Sequence, residues 1–272
     1  MTVLPLILFL AQEPLTAETI VARVAENQDR ANEARAAYVY HQDVLIRLNR
    51  TNGKLAREEN SEYTVTPTPN GTQRERLAFH GKYVDHGKTV EFDKPGFEHK
   101  SLDADAGIIG GLSDSFGNDK KSRDGIERDL FPLTTREQRK YRFQLEGEED
   151  YLGTAVYRIT FEPRKNTGDD DECWAGQALI HRDEFQPVLV TTHLAEKIPM
   201  WVKAVFGTDV KALGFKVTYK KFADGLWFPV TYGGEFQFKA LFLYSRKVGL
   251  SLRNSDFHRL AAHSEVSYAD IR

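Results

Sequence analysis

From residue 38 onward apolar side chains recur at every second position, the period of a strand with one face buried and one wet. The pattern is cleanest at 141–147, where Tyr141, Phe143 and Leu145 alternate with Arg142, Gln144 and Glu146. A hairpin is expected from 174–181 and 185–194 around a turn at Arg182-Asp-Glu184, and another from 39–48 and 55–66 around Asn52-Gly53, a dipeptide that tolerates positive φ at both turn positions. Pro67-Thr-Pro-Asn-Gly71 closes that hairpin and opens a strand at 73–80. A short pair at 82–84 and 89–92 follows across His86-Gly87. Further strands are expected at 157–161, 214–219, 226–239, 241–252 and 262–268, with Asp224-Gly225 as a turn. Gly233-Gly234, inside a long strand, would permit a bulge or bend there.

The helical period is confined to the start of the chain. Thr16 fits an N-cap, Glu18 suits the first turn, and Leu15 with Ile20 occupy the positions of a hydrophobic staple, so a helix is expected to about residue 37. Its stripe of Ile20, Val24, Ala31 and Ala34 is interrupted by Gln28, which predicts a light cover on a sheet.

Two stretches break both periods. Residues 93–125 are rich in Gly, Asp and Ser around the apolar Gly107-Ile-Ile-Gly-Gly-Leu112, which predicts an excursion from the sheet. It reads either as a loop tucked on the core or as a lid over a cavity, with glycines on both sides of Ile108 and Ile109 permitting movement. A helical turn interrupted at Pro132 is expected over 124–135. Residues 198–206, Ile-Pro-Met-Trp-Val-Lys-Ala-Val-Phe, are apolar apart from Lys203. They read either as a plug closing one end of a barrel or as a lid or contact surface for lipid, a role that suits Met200 and Trp201.

Composition narrows the function classes. The chain has 272 residues, 40% hydrophobic and 28% charged, enough to bury a large core. A net charge of −3 with no basic block argues against nucleic acid as a partner. The single Cys173 leaves no internal disulfide and no multi-cysteine metal site. Residues 3–11 form an apolar run too short to span a bilayer but long enough for a secretory signal, although no Lys or Arg precedes it. The expected organisation is a signal segment at 1–17 and one domain at 18–272, exported to the periplasm or cell envelope, with no stable membrane span and no lipid-bearing cysteine near the start.

Catalytic signals are absent from the sequence. There is no Gly-x-Ser-x-Gly, no His-Glu-x-x-His and no glycine-rich phosphate loop. Asp169-Asp-Asp-Glu172 lacks the spacing of a calcium loop and reads as a solvated hairpin tip. His258 and His263, with Asp256 and Glu265 near a loop, read as surface residues, and His181 and His193 as a cross-strand pair. No enzyme activity, metal or cofactor is expected.

Three segments carry a family resemblance: residues 153–163 (GTAVYRITFEP), 174–188 (WAGQALIHRDEFQPV) and 224–229 (DGLWFP). Together with the helix before a meander, they resemble the outer-membrane lipoprotein-sorting proteins, the LolA-like superfamily, to which LolB and RseB-type folds are related. The resemblance implies a mainly β, α+β fold: a strongly curved antiparallel sheet, an incomplete β-barrel, covered by an N-terminal helix and short helical lids. It implies transport of a hydrophobic ligand, lipid or lipoprotein acyl chains, or else a sensor or assembly factor that binds an envelope protein partner. The residues expected at such a cavity or its lid are Ile108, Ile109, Met200, Trp201, Phe206, Trp227, Phe236 and Phe238.

Overall fold

Thr16 caps the first helix as expected: its side-chain oxygen accepts the Thr19 amide at 3.2 Å. The structure, a computed structural model, describes residues 15–68, 71–117, 133–164, 174–195, 209–211, 213–222, 225–240 and 244–260. In chain order the elements are α1 (Ala17–Arg35), β1 (Tyr38–Asn49), β2 (Leu55–Thr68), β3 (Gly71–Asp85), β4 (Lys88–Phe92), α2 (Ala104–Gly117), α3 (Thr135–Gln138), β5 (Tyr141–Tyr151), β6 (Thr154–Pro163), β7 (Trp174–His181), β8 (Pro187–Leu194), β9 (Asp209–Lys211), β10 (Gly214–Lys221), β11 (Trp227–Ala240) and β12 (Tyr244–Arg259).

The strands join into one antiparallel sheet in the order β4-β3-β2-β1-β12-β11-β10-β8-β7-β6-β5, with β9 paired to β11 beside this path. The sheet is two meanders joined where β1 pairs with β12, and among the described residues β4 and β5 remain unjoined, so the barrel is not closed. Side chains alternate across it as the period predicts. Tyr141 is buried, Phe143 and Leu145 pack against the core, and Arg142, Gln144 and Glu146 face water.

The helices lie on one face of this sheet. In α1, Ile20 and Val24 are buried, and Leu15 packs against the same core, as a staple requires. Gln28 is not a flaw in the stripe, because its amide bonds the Gln186 side chain at 2.7 Å. Asn27 donates to the carbonyls of Glu184 and Phe185 at 2.9 and 3.0 Å. The polar residues of α1 thus grip the β7–β8 turn, while Gln138 of α3 donates to the Val21 carbonyl at 2.8 Å.

Several sequence expectations need correction. The described part of the 93–125 stretch, up to Gly117, does leave the sheet, but it contains the helix α2, despite three interior glycines that each cost about 1 kcal/mol relative to alanine. Burial of Ile109 and Leu112 in the core outweighs that penalty. The separate strands at 73–80 and 82–84 are one strand, β3, continuous through Gly81, where the Phe92 ring lies so close that no Cβ would fit. The strand expected to end at 252 runs on to Arg259, so Asp256 and His258 lie in β12. His181 and His193 do not face one another: His193 pairs with Ala175, and the His181 Nδ1 accepts the amides of Asp183 and Glu184 in the turn. The register shift in β11 falls at Val230, where Pro229 and Thr231 oppose consecutive residues of β10, and the pairing runs through Gly233-Gly234 without one. The glycine pair instead admits the backbones of Leu250 and Gly214. The expected strand at 262–268, the acidic run 169–172, Pro132 and His263 lie outside the described residues.

Candidate functional site

The covered face under α2 is assembled from alternate residues of neighbouring strands. Register places Leu48, Ile46 and Val44 of β1 beside Val248, Leu250 and Leu252 of β12, and all six are buried. Phe236 and Phe238 of β11 continue the same apolar surface. Ile109 and Leu112 descend onto it from α2 with 0% exposure, and Ile108 packs at its margin.

Trp227 also joins this core, although it has the opposite parity to Phe236 in the strand. The bulge at Val230 reverses the alternation between them and returns both to one face. Trp227 lies nine residues before Phe236, or about 30 Å along an extended strand. Its indole donates to Glu184 Oε2 at 3.0 Å, and its carbonyl accepts Arg35 at 3.1 Å. It therefore anchors the α1 end of the sheet rather than lining the region under α2. Met200, Trp201 and Phe206 lie outside the described residues.

Two ionic attachments fix the start of α2, and neither was singled out from the sequence. Asp103 precedes the helix and accepts the Ala106 amide at 3.3 Å in the manner of an N-cap. The same carboxylate takes Arg57 Nη1 at 3.1 Å and His99 Nδ1 at 2.6 Å. Arg57, fully buried on β2, also bonds Glu59 at 2.7 Å and the Phe97 carbonyl at 2.6 Å, with its guanidinium 4.5 Å from the centre of the Phe92 ring. In the first turn of α2, Asp105 takes Arg246 of β12 by two bonds, at 2.7 and 3.0 Å, and also accepts the Tyr244 hydroxyl.

These contacts shift the groups involved. Burial pushes Asp103 up, but the Ala106 amide and His99 more than offset it and hold the carboxyl below its ordinary value. Burial raises Glu59 in spite of Arg57. Tyr244 is raised by burial and by the Asp105 carboxylate beside it, and the same carboxylate raises Arg246 against the pull of burial.

Past these attachments the covered face turns polar. A small cleft is lined by Val44, Ile46, Glu59, Ser61, Tyr63, Arg74 and Ser113, the last from α2. Among the described residues no group of three or more His, Cys, Asp or Glu side chains is placed to hold a metal ion. No described helix is long and apolar enough to cross a membrane.

No family model matches the chain, and no curated protein matches it in sequence. Solved structures similar to it include a domain described as outer-membrane lipoprotein-sorting from Vibrio parahaemolyticus, at 11% identity and a TM-score of 0.40 over 92% of this chain and 95% of that one. A LolA superfamily protein from Nitrosomonas europaea is similar at 13% identity and a TM-score of 0.35, covering 93% and 96%. The lipoprotein LppX from Mycobacterium tuberculosis is similar at 9% and 0.27, covering 90% and 98%. The solved structures similar to this chain thus include the group that its strand and turn motifs resemble, at a distance where any functional reading has to rest on the geometry of the covered face itself.

Proposed function

We propose that this protein is an exported carrier that holds a hydrophobic ligand, a lipid or lipoprotein acyl chain, between the covered face of the sheet and helix α2, within a single domain spanning 18–272. One observation carries the reading. An open sheet presents a broad apolar face, and the helix that covers part of it is glycine-rich and fastened by charged groups at its N-terminal end. Apolar contacts hold the helix down, but a fastening at one end lets the remainder lift and an acyl chain take the place of Ile109 and Leu112. Ile108, Ile109, Phe236 and Phe238 are proposed to contact the chain from this side, with Met200, Trp201 and Phe206 contributing from the apolar segment at 198–206. Trp227 is proposed to support the wall.

Native mass spectrometry of the exported protein tests this. Bound mass that fragments to acyl chains is expected, and Trp201→Asp should reduce it. A chain that emerges bare, and that takes up no fatty acid when one is supplied, overturns the carrier reading. A second reading, an envelope factor that binds a protein, draws support from Leu77, a bulged residue of β3 left 56% exposed. That reading expects a bare chain that nevertheless captures a polypeptide through β3.

A further inference from the structure

The polar end of the covered face brings together two guanidinium groups that form no ion pair with a described carboxylate. Register sets Arg76 of β3 opposite Tyr63 of β2, and Arg74 opposite Val65. Both guanidiniums lie over the Tyr63 ring, Arg74 at 4.3 Å and Arg76 at 5.3 Å from its centre, and Arg76 donates to the Tyr63 hydroxyl at 3.0 Å. Arg74 donates to the Gln42 side-chain oxygen, and Gln42 in turn donates to Asn254 at 3.0 Å, so its hydrogen-bonding neighbours are neutral. No ion pair joins either arginine to a described carboxylate. Glu59 shares the cleft and is bonded to Arg57, with Arg76 acting on its carboxylate only at longer range. Burial and the neighbouring Arg76 both disfavour the charge on Arg74, which the hydroxyl groups of Tyr63 and Tyr40 only partly offset.

Two like charges gathered at one ring, one of them largely withdrawn from water, form an arrangement that gains from an anion. Beside them stand the hydroxyls of Ser61 and Ser113 as further donors. Val44 and Ile46 belong to the lining of the cleft, and the register pairs them with Leu252 and Leu250 of β12, all four buried. The surface is therefore graded, charged at β3 and apolar at β12, which is the profile of an amphiphile with an anionic head.

We propose that Arg74 and Arg76, arranged over Tyr63, form a subsite for the oxyanion headgroup of a lipid whose acyl chain lies on the apolar floor beneath α2. This rests on the carrier reading and adds to it the chemical class of the ligand. The headgroup sits between the two guanidiniums at the open side of the cleft, and Ser113 couples its arrival to the position of α2.

Isothermal titration with three probes tests the subsite: 1-palmitoyl lysophosphatidate, the uncharged 1-monopalmitoylglycerol, and glycerol 3-phosphate, which has the head but no chain. The intact protein should bind lysophosphatidate about tenfold or more tighter than monopalmitoylglycerol, the difference expected for charge-assisted bonds to an anion. In the double variant Arg74→Gln and Arg76→Gln that preference should vanish, while affinity for monopalmitoylglycerol stays unchanged and reports an intact fold. Equal affinity for the two lipids in the intact protein, or an unaltered preference in the variant, overturns the subsite and leaves the carrier reading standing. Glycerol 3-phosphate binding as tightly as lysophosphatidate overturns a lipid as its occupant. If neither lipid binds, the carrier reading fails and the subsite with it.

Discussion

Arg57 carries more of the local structure than any residue the hydrophobic pattern would single out. It is fully buried, and its three bonds reach β2, the 93–103 loop and the cap of α2. Replacing it with Met keeps the volume but leaves Glu59 and Asp103 without their cation. Breaking one side of a buried pair costs about 3–5 kcal/mol, so Arg57→Met should lower the urea midpoint by a corresponding amount. A loss below about 1 kcal/mol, the scale of an exposed pair, would show that the network does not hold the chain together. The pH dependence of the same network has a definite sign. Asp103 is depressed below 3.8 in the folded chain, so its contribution is complete above that value and disappears as pH falls through the lower folded value. Glu59 runs oppositely: raised above 4.5 by burial, it opposes folding at neutral pH, and that opposition fades on acidification. Thermal melts between about pH 5 and pH 3 should therefore fall less steeply in Asp103→Asn than in the intact chain, since that variant has lost the group whose protonation destabilises it.

At the scale of elements, α2 is the informative case. Among its described side chains the contacts are apolar along Ile109 and Leu112 and ionic at its first turn and cap, so these two parts should respond differently to substitution. Leu112→Ala removes a side chain with no exposure and should cost about 2–5 kcal/mol in denaturant unfolding. Asp105→Asn loses the paired bonds to Arg246 and should raise hydrogen exchange across α2 by about tenfold while leaving α1 protected. Equal loosening of both helices would mean that α2 does not move as a separate cover. The strands were legible from their period, because a sheet with one buried face writes its alternation directly into the sequence. Helix α2 was not legible, since its glycines speak against a helix locally and only the sheet beneath Ile109 and Leu112 supplies the stabilisation that overrides them.

The whole molecule is organised by the pairing of β1 with β12, which brings residues about 200 positions apart into register and merges two meanders into a single sheet. The larger of two buried clusters runs from α1 through α2 to β12, and Val156, Leu179 and Leu189 form a smaller one. A single cooperative urea transition is therefore expected, with tryptophan fluorescence and far-ultraviolet dichroism superimposing. Two separated transitions would divide the chain into independent units and remove the single-domain reading of 18–272. The two helical covers also serve different ends of the sheet. α1 is bound through Asn27, Gln28 and Arg35 to the β7–β8 turn and the Trp227 carbonyl, while α2 is bound to β2 and β12.

What the sequence determined by itself was the local alphabet: period-two strands, the turn at Asn52-Gly53, the capped and stapled α1, and the apolar identity of Ile109, Phe236 and Phe238. These depend on neighbours within a few positions, where side-chain alternation and capping act. Tertiary structure alone decided which strands are adjacent, that the bulge at Val230 would put Trp227 and Phe236 on one face, and that Arg57 would meet Asp103 and Arg246 would meet Asp105. Charged residues in an alternating strand read as solvent-facing, and nothing local distinguishes one that points outward from one buried against a carboxylate 46 or 141 positions away. The same reason hid Arg74 and Arg76: that two guanidiniums meet at the Tyr63 ring with no described carboxylate paired to them becomes visible only once the chain has folded.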